Sequence, residues 1–216
     1  MSDRRGAASR FRDSRVLGIA KTQAAVARRG YLAKASAHRY KPAIRPTNGP
    51  SAGNVKFNLI DRIEHLSPER IVAVKYVSLA EEYLADHFPT FPVLPGVMML
   101  EAMTQAAAWL LHHRSNFAKS MAVLKEAKNV KYGTFVAPGQ SLRVEIDLNK
   151  PTDTGATFKA SGFTGADNAL AVQARIELAY FNLSEKQPEL SAVDERLAAH
   201  NKARWAVLQA QSQVAV

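Results

Sequence analysis

Cysteine is absent from the 216-residue chain, and that absence excludes disulfides, thiolate metal sites and cysteine nucleophiles at once. The cytoplasm, a reducing compartment, is the expected location. Long hydrophobic runs are absent too: the stretch from Val93 to Leu111 is broken by Pro95, Gly96, Glu101, Thr104 and Gln105, too polar for lipid. No membrane insertion is expected. There is no Gly-rich phosphate loop followed by Lys-Ser or Lys-Thr, and no Gly-x-Ser-x-Gly elbow. His112 and His113 are adjacent, so on a helix they diverge by about 100° and cannot chelate one ion as an i, i+4 pair does. Neither a metal nor a cofactor is expected.

What is present suits one globular domain with extensions: 47% of residues are hydrophobic and 22% charged. The net charge of +10 is confined to residues 1–54, which hold twelve of the 29 basic residues and two of the 19 acidic ones. The rest of the chain is neutral, so the surplus says nothing about the main domain. Residues 1–54 read as a solvated, flexible extension. A nucleic-acid or membrane arm and an organelle transit peptide share that composition. A further reading is that the protein starts at Val55 and that this segment lies upstream of it.

Residues 55–183 carry the folded pattern. Phe57 to His65 is an amphipathic lead-in, and Arg70 to Ser78 alternates as a strand, with Ile71, Ala73 and Lys75 opposite Val72, Val74 and Tyr76. Pro89, Pro92 and Pro95 then enforce an extended loop. A helix follows from Pro95 or Gly96 to about Arg114. Strands are expected at Ser120 to Tyr132, Ser141 to Leu148, Thr157 to Phe163 and Ala169 to Asn182, with turns at Pro138-Gly139 and Pro151 to Gly155. The helix is apolar nearly all round, which marks it as buried. A buried helix among antiparallel-type strands implies an α+β fold with the sheet wrapped around it. Residues 184–216 form a tail in which Val193, Leu197, Trp205 and Leu208 share a helical face that Asn201 interrupts.

Glu101, Thr104 and Gln105 are the polar exceptions on the central helix. A buried carboxylate is either neutralised and hydrogen-bonded or part of a site; at spacing four, the Gln105 amide can support Glu101. His87 precedes the proline loop that delivers Gly96 to the helix N-terminus. A lone histidine or glutamate has ordinary structural uses, here including a polar contact at an oligomer interface. Together with free helix-terminal N–H groups they make a base, an acid and an oxyanion binder. Gly96, lacking a Cβ, lets its N–H approach a carbonyl closely.

Asp86-His87-Phe88-Pro89-Thr90-Phe91-Pro92-Val93-Leu94-Pro95-Gly96-Val97, followed by Leu100-Glu101-Ala102-Met103-Thr104-Gln105-Ala106, resembles the signature of the hot-dog-fold 3-hydroxyacyl-[acyl carrier protein] dehydratases of type II fatty acid synthesis. Leu59-Ile60-Asp61-Arg62-Ile63, Ala73 to Val77 and Val136 to Leu142 extend the resemblance. It implies that His87 removes the α-proton of a 3-hydroxyacyl thioester and that Gly96, with Val97 beside it, binds the thioester. Glu101, supplied by the other subunit, helps the β-hydroxyl leave while Gln105 orients it, and the raised pKa of a buried carboxyl suits that acid role. Tyr83 gates the acyl tunnel. Glutamate rather than aspartate at 101 implies dehydration without isomerisation. The resemblance also implies a homodimer or an assembly of dimers, and an acyl carrier protein as partner.

Three features depart from the family pattern. The usual aromatic pair ahead of the motif is Tyr83-Leu84 here, so gating of the acyl tunnel by an aromatic ring rests on Tyr83 alone. Asp86 replaces the usual glycine before the histidine, and either orients His87 or turns outward. The family's basic cluster near Lys131 is reduced, leaving Lys125, Lys128 and Lys131 as docking candidates for the acidic carrier. Two other functions are compatible with the fold. A hot-dog thioesterase would hydrolyse the same bond, against which the His87 and Glu101 pair argues. A lipid-sensing regulator would use the basic arm on DNA, but residues 1–54 lack a two-helix pattern.

Overall fold

The computed structural model describes residues 57–213; the expectations for residues 1–54 lie outside the described residues. The elements in chain order are β1 (Arg62–Leu66), β2 (Arg70–Tyr76), α1 (Tyr83–Asp86), α2 (Gly96–Arg114), β3 (Met121–Tyr132), β4 (Ser141–Thr152), β5 (Gly155–Thr164), β6 (Ala169–Phe181) and α3 (Ser191–Gln213). The six strands form one antiparallel sheet in the order β1-β2-β4-β5-β6-β3. Its inner face wraps α2, which gives the expected hot-dog arrangement.

Period-2 alternation produces the inner face. Leu142, Val144 and Ile146 of β4, Phe158 and Ala160 of β5, and Val172, Ala174, Ile176 and Leu178 of β6 are all buried. Against them α2 sets Met99, Ala102, Met103, Ala106, Ala107 and Leu110, each at most 3% exposed. Alanines at three of these positions let the helix lie close to the sheet. The opposite side of α2 is less covered: Glu101, Gln105, Ala108 and Trp109 are half-buried and Val97 is exposed.

Three local expectations are refined. The lead-in contains a strand, β1, whose alternation is broken by a bulge between Ile63 and His65. The turn expected from Pro151 narrows to Asp153-Thr154, because Pro151 and Thr152 pair with Ala156 and Gly155. Proline is tolerated there because β2 pairs with β4 only as far as Asp147, so Pro151 needs no donor on that side. Lys75, in phase with Ile71 and Ala73, is buried at 4% exposure.

The C-terminal tail contains the helix α3. Trp205 and Leu208 join the core, and the Trp205 indole lies 5.7 Å from that of Trp109 on α2. Asn201 belongs to the same face because its amide donates to the Ser120 carbonyl at 3.3 Å. Asp194 accepts from the Ser120 hydroxyl and from the N–H groups of Leu183 and Ser184, both at 2.9 Å. Burial alone would raise the pKa of Asp194; these hydrogen bonds outweigh it and hold the carboxyl well below the usual range.

His112, 5% exposed, contacts Tyr180 and Phe117 at the end of α2. Burial pushes its pKa down from 6.5 to about 4. Below pH 6.5 the unfolded chain therefore binds a proton that the folded chain refuses until about pH 4, so stability falls as pH falls through that window. In urea unfolding at about pH 7 and about pH 4.5, the wild type is expected to lose roughly 2 kcal/mol more over the interval than His112→Gln. Equal losses in the two proteins would contradict a neutral, buried His112.

Candidate active site

The loop between α1 and α2 is exposed in its first half and buried in its second. Phe88 and Phe91 are 53% and 56% exposed, whereas Val93 and Leu94 are at most 1% exposed. The Leu94 N–H donates to the Val136 carbonyl at 2.8 Å, pinning the loop to the core. The Val93 N–H donates to the His87 carbonyl, and His87 Nδ1 lies 3.0 Å from the Val93 carbonyl oxygen. A carbonyl can only accept, so Nδ1 carries the proton, and the neutral ring keeps a free lone pair on Nε2. Phe88 stacks on the imidazole with ring centroids 4.4 Å apart. This clamp fixes the orientation of a histidine that sits on a half-exposed loop.

Pro95 is the N-cap of α2, and its carbonyl accepts from the N–H groups of Met98 and Met99. The N–H groups of Gly96 and Val97, first in the helix, have no intrahelical acceptor and stand at its positive end. Glycine here leaves room for a neighbour: a Cβ at position 96 would lie 2.8 Å from the ring of Tyr132, which would have to shift to admit it. Tyr132 therefore closes one side of the helix terminus, a neighbour that sequence spacing did not reveal.

About two and a half turns further along, Gln105 is fixed at three points. Its Oε1 accepts the Leu59 N–H at 2.9 Å, and its Nε2 donates to the Phe57 carbonyl at 3.2 Å and to Glu101 Oε1 at 3.0 Å. Because a backbone donor occupies the Gln105 oxygen, the amide must present its NH₂ to Glu101. Any proton on the Glu101 carboxyl is thereby directed to Oε2. The predicted pairing of these two side chains is thus observed.

Within one chain, no hydrogen bond or ring contact among the described residues joins His87 to Glu101. The first belongs to the loop group with Gly96 and Val97, the second to the helix group with Gln105. Asp86 is exposed and forms no ion pair with His87 among the described residues. Tyr83 is half-buried and lines a cavity of about 930 Å³ with Phe57, Leu59 and Tyr76. Its hydroxyl donates to Glu81; burial first, then the Glu81 and Asp61 carboxylates, raise the phenol pKa far above normal. Lys75 and Glu81, also absent from the sequence-based site, meet at 2.8 Å beside it. The inward phase of Lys75 in β2 was the available signal.

A FabA-like domain model matches residues 52–175, a span that contains Tyr83, His87, Gly96, Val97, Glu101 and Gln105. The chain is 35% identical over 133 residues to the 3-hydroxyacyl-[acyl-carrier-protein] dehydratase FabZ of Solibacter usitatus (strain Ellin6076), covering 61% of this chain and 81% of the relative. It is 35% identical over 124 residues to the enzyme of the same name from Pelotomaculum thermopropionicum, covering 57% and 87%. Among solved structures, the dehydratase heterocomplex ApeI:P from Xenorhabdus doucetiae superposes with a TM-score of 0.51 at 16% identity, covering 62% of this chain and 90% of that one. That last likeness is one of fold. The length of the family match and the identity to its curated members agree: the chain belongs to the FabA-like domain family.

Proposed function

We propose that the protein dehydrates (3R)-3-hydroxyacyl-[acyl carrier protein] to the trans-2-enoyl thioester in cytoplasmic fatty acid biosynthesis. The observation that carries this reading is the His87 clamp, which frees Nε2 as a base beside a helix terminus with two free donors. His87 Nε2 takes the α-proton, and the electron pair forms the α–β double bond as the β C–O bond breaks. The N–H groups of Gly96 and Val97 bind the thioester oxygen as it gains negative charge. Glu101 donates its Oε2 proton to the departing hydroxyl, which leaves as water. His87 then holds one proton more and Glu101 one fewer, and a proton transfer between them restores both. No step calls for a cofactor.

A homodimer supplies the pairing that one chain lacks. Val97 is 69% exposed and Glu101 and Ala108 are half-buried along one side of α2, a surface suited to a second helix. Among the described residues β3, twelve residues long, pairs only with β6 and forms a sheet edge of the kind that a second copy covers. In this arrangement Glu101 of one chain serves His87 of the other.

Carrier docking falls on a different set of cations from the three that the sequence indicates, with Lys131 common to both. Lys125 and Lys128 are engaged by Glu177 and Glu126 at 2.5 and 2.7 Å. Lys131, Lys159 and Arg175 line one concavity and have no ion-pair partner among the described residues. An acidic carrier fits that surface better than the compensated lysines.

Two experiments test this reading. The enzyme is expected to generate a conjugated enoyl thioester from 3-hydroxyacyl carrier substrates, and His87→Ala and Glu101→Gln should each lower kcat by roughly 10²-fold or more. Mixed after verified subunit exchange, the two inactive variants should recover part of the activity. No recovery would place the site within one chain, and release of free acid would identify a thioesterase. Replacing both Lys159 and Arg175 by Glu should raise KM for carrier-bound substrate about tenfold at low salt and leave small thioester substrates unaffected. Equal effects on both substrate types would remove this face from docking.

A further inference from the structure

The buried Lys75 and the half-buried Glu81 and Tyr83 form a polar cluster for which the dehydration steps have no use. Lys75, 4% exposed at the end of β2, donates to Glu81 Oε2 at 2.8 Å and to the Tyr76 carbonyl at 3.2 Å. The same carboxylate oxygen accepts from the Tyr83 hydroxyl, and Oε1 accepts the Ser78 N–H at 3.0 Å. Burial would raise the Glu81 pKa, but these donors outweigh it and hold the group ionised. An ion pair in the interior stabilises a fold no better than a well-packed apolar pair, so its use is sought in geometry.

That geometry leads to His87. Glu81 ties the strand end at Lys75, the bend at Ser78 and the first residue of α1, Tyr83, to one carboxylate. The Glu81 carbonyl also accepts the Leu84 N–H at 3.0 Å, and Leu84 is itself 1% exposed. α1 is four residues long and His87 follows it directly. The imidazole is therefore held downstream by Val93 and upstream by a helix too short to hold itself. We infer that Glu81, with Lys75 and Tyr83, is a positioning group that fixes the approach of His87 to the substrate. A phenol tethered at its hydroxyl is a fixed wall of the adjoining cavity, not a swinging gate.

The kinetic arm of the test depends on the dehydratase reading; the spectroscopic arm does not. Glu81→Gln, Lys75→Met combined with Glu81→Gln, and Tyr83→Phe are compared with the wild type for Tm, kcat, KM and the NMR resonance of the His87 ring, assigned by its loss in His87→Gln. Glu81→Gln leaves Lys75 buried without a counter-charge and should lower Tm. The double variant removes both charges and should recover Tm. Under the positioning role its kcat stays depressed about tenfold or more with KM little changed, and its His87 resonance remains shifted. Tyr83→Phe, which keeps the ion pair, should lower kcat severalfold and move the same resonance in the same direction. Recovery of kcat together with Tm in the double variant would reduce the pair to a structural one and overturn the proposal. So would an unmoved His87 resonance in the double variant or, should neither Glu81 variant fold, in Tyr83→Phe. A wild type inactive on hydroxyacyl thioesters would refute the dehydratase reading and leave the resonance test standing.

Discussion

The burial of α2 is the constraint on which the rest of the structure depends. A helix with Met99, Ala102, Met103, Ala106, Ala107 and Leu110 facing the sheet can shed that apolar surface only inside a curved sheet. Once it is seated, its uncovered side and its N-terminus are determined as well. Glu101 and Gln105, set off from the sheet-facing residues around the helix, stand on the uncovered side. Gly96 and Val97, which begin the helix, offer donors that nothing within it can satisfy. Packing and chemistry are thus two faces of one element.

What packing leaves undetermined is the direction of the polar groups, and main-chain atoms settle it. The Val93 carbonyl selects the tautomer of His87, and the Leu59 N–H selects the orientation of the Gln105 amide, which in turn selects the oxygen of Glu101 left open. In each case a backbone group of fixed polarity orders a side chain that has two ways to lie. Such supports add little to stability, about 1 kcal/mol each by the usual net value of a hydrogen bond. Their effect falls instead on the fraction of time that the His87 and Glu101 side chains hold one orientation.

The legibility of the fold in the sequence followed the strength of each period. β4, β5 and β6 alternate between buried and less buried positions, and α2 runs without interruption from Gly96 to Arg114, so these were readable. β1 was not, because its bulge shifts the phase after Ile63, and α1 was not, because four residues hold barely one helical turn. Around the candidate site, the Glu101 and Gln105 pairing and the position of Gly96 at the helix start were legible from residue type and spacing. Val93, Tyr132 and Glu81 were not: the first acts through its carbonyl, the second meets Gly96 across the fold, and the third gains its meaning from a lysine in another element. Lys75 shows the boundary. Its phase in β2 indicated burial, but only the structure supplies the carboxylate that makes a buried ammonium tolerable.

The helix α3 lies beyond the 52–175 span of the family model, yet the core is incomplete without it. Trp205 covers Trp109 and His113 where α2 would otherwise end in solvent, and Asp194 satisfies the backbone donors at Leu183 and Ser184 as the chain leaves β6. Arg204 extends the same attachment to the Ile60 carbonyl, on the segment that joins Leu59 to β1. Since the Leu59 N–H fixes Gln105, the tail is connected through one short stretch of backbone to the residue that orients Glu101. A C-terminal addition outside the family match thereby braces the segment that fixes Gln105 and, through it, the Glu101 side chain.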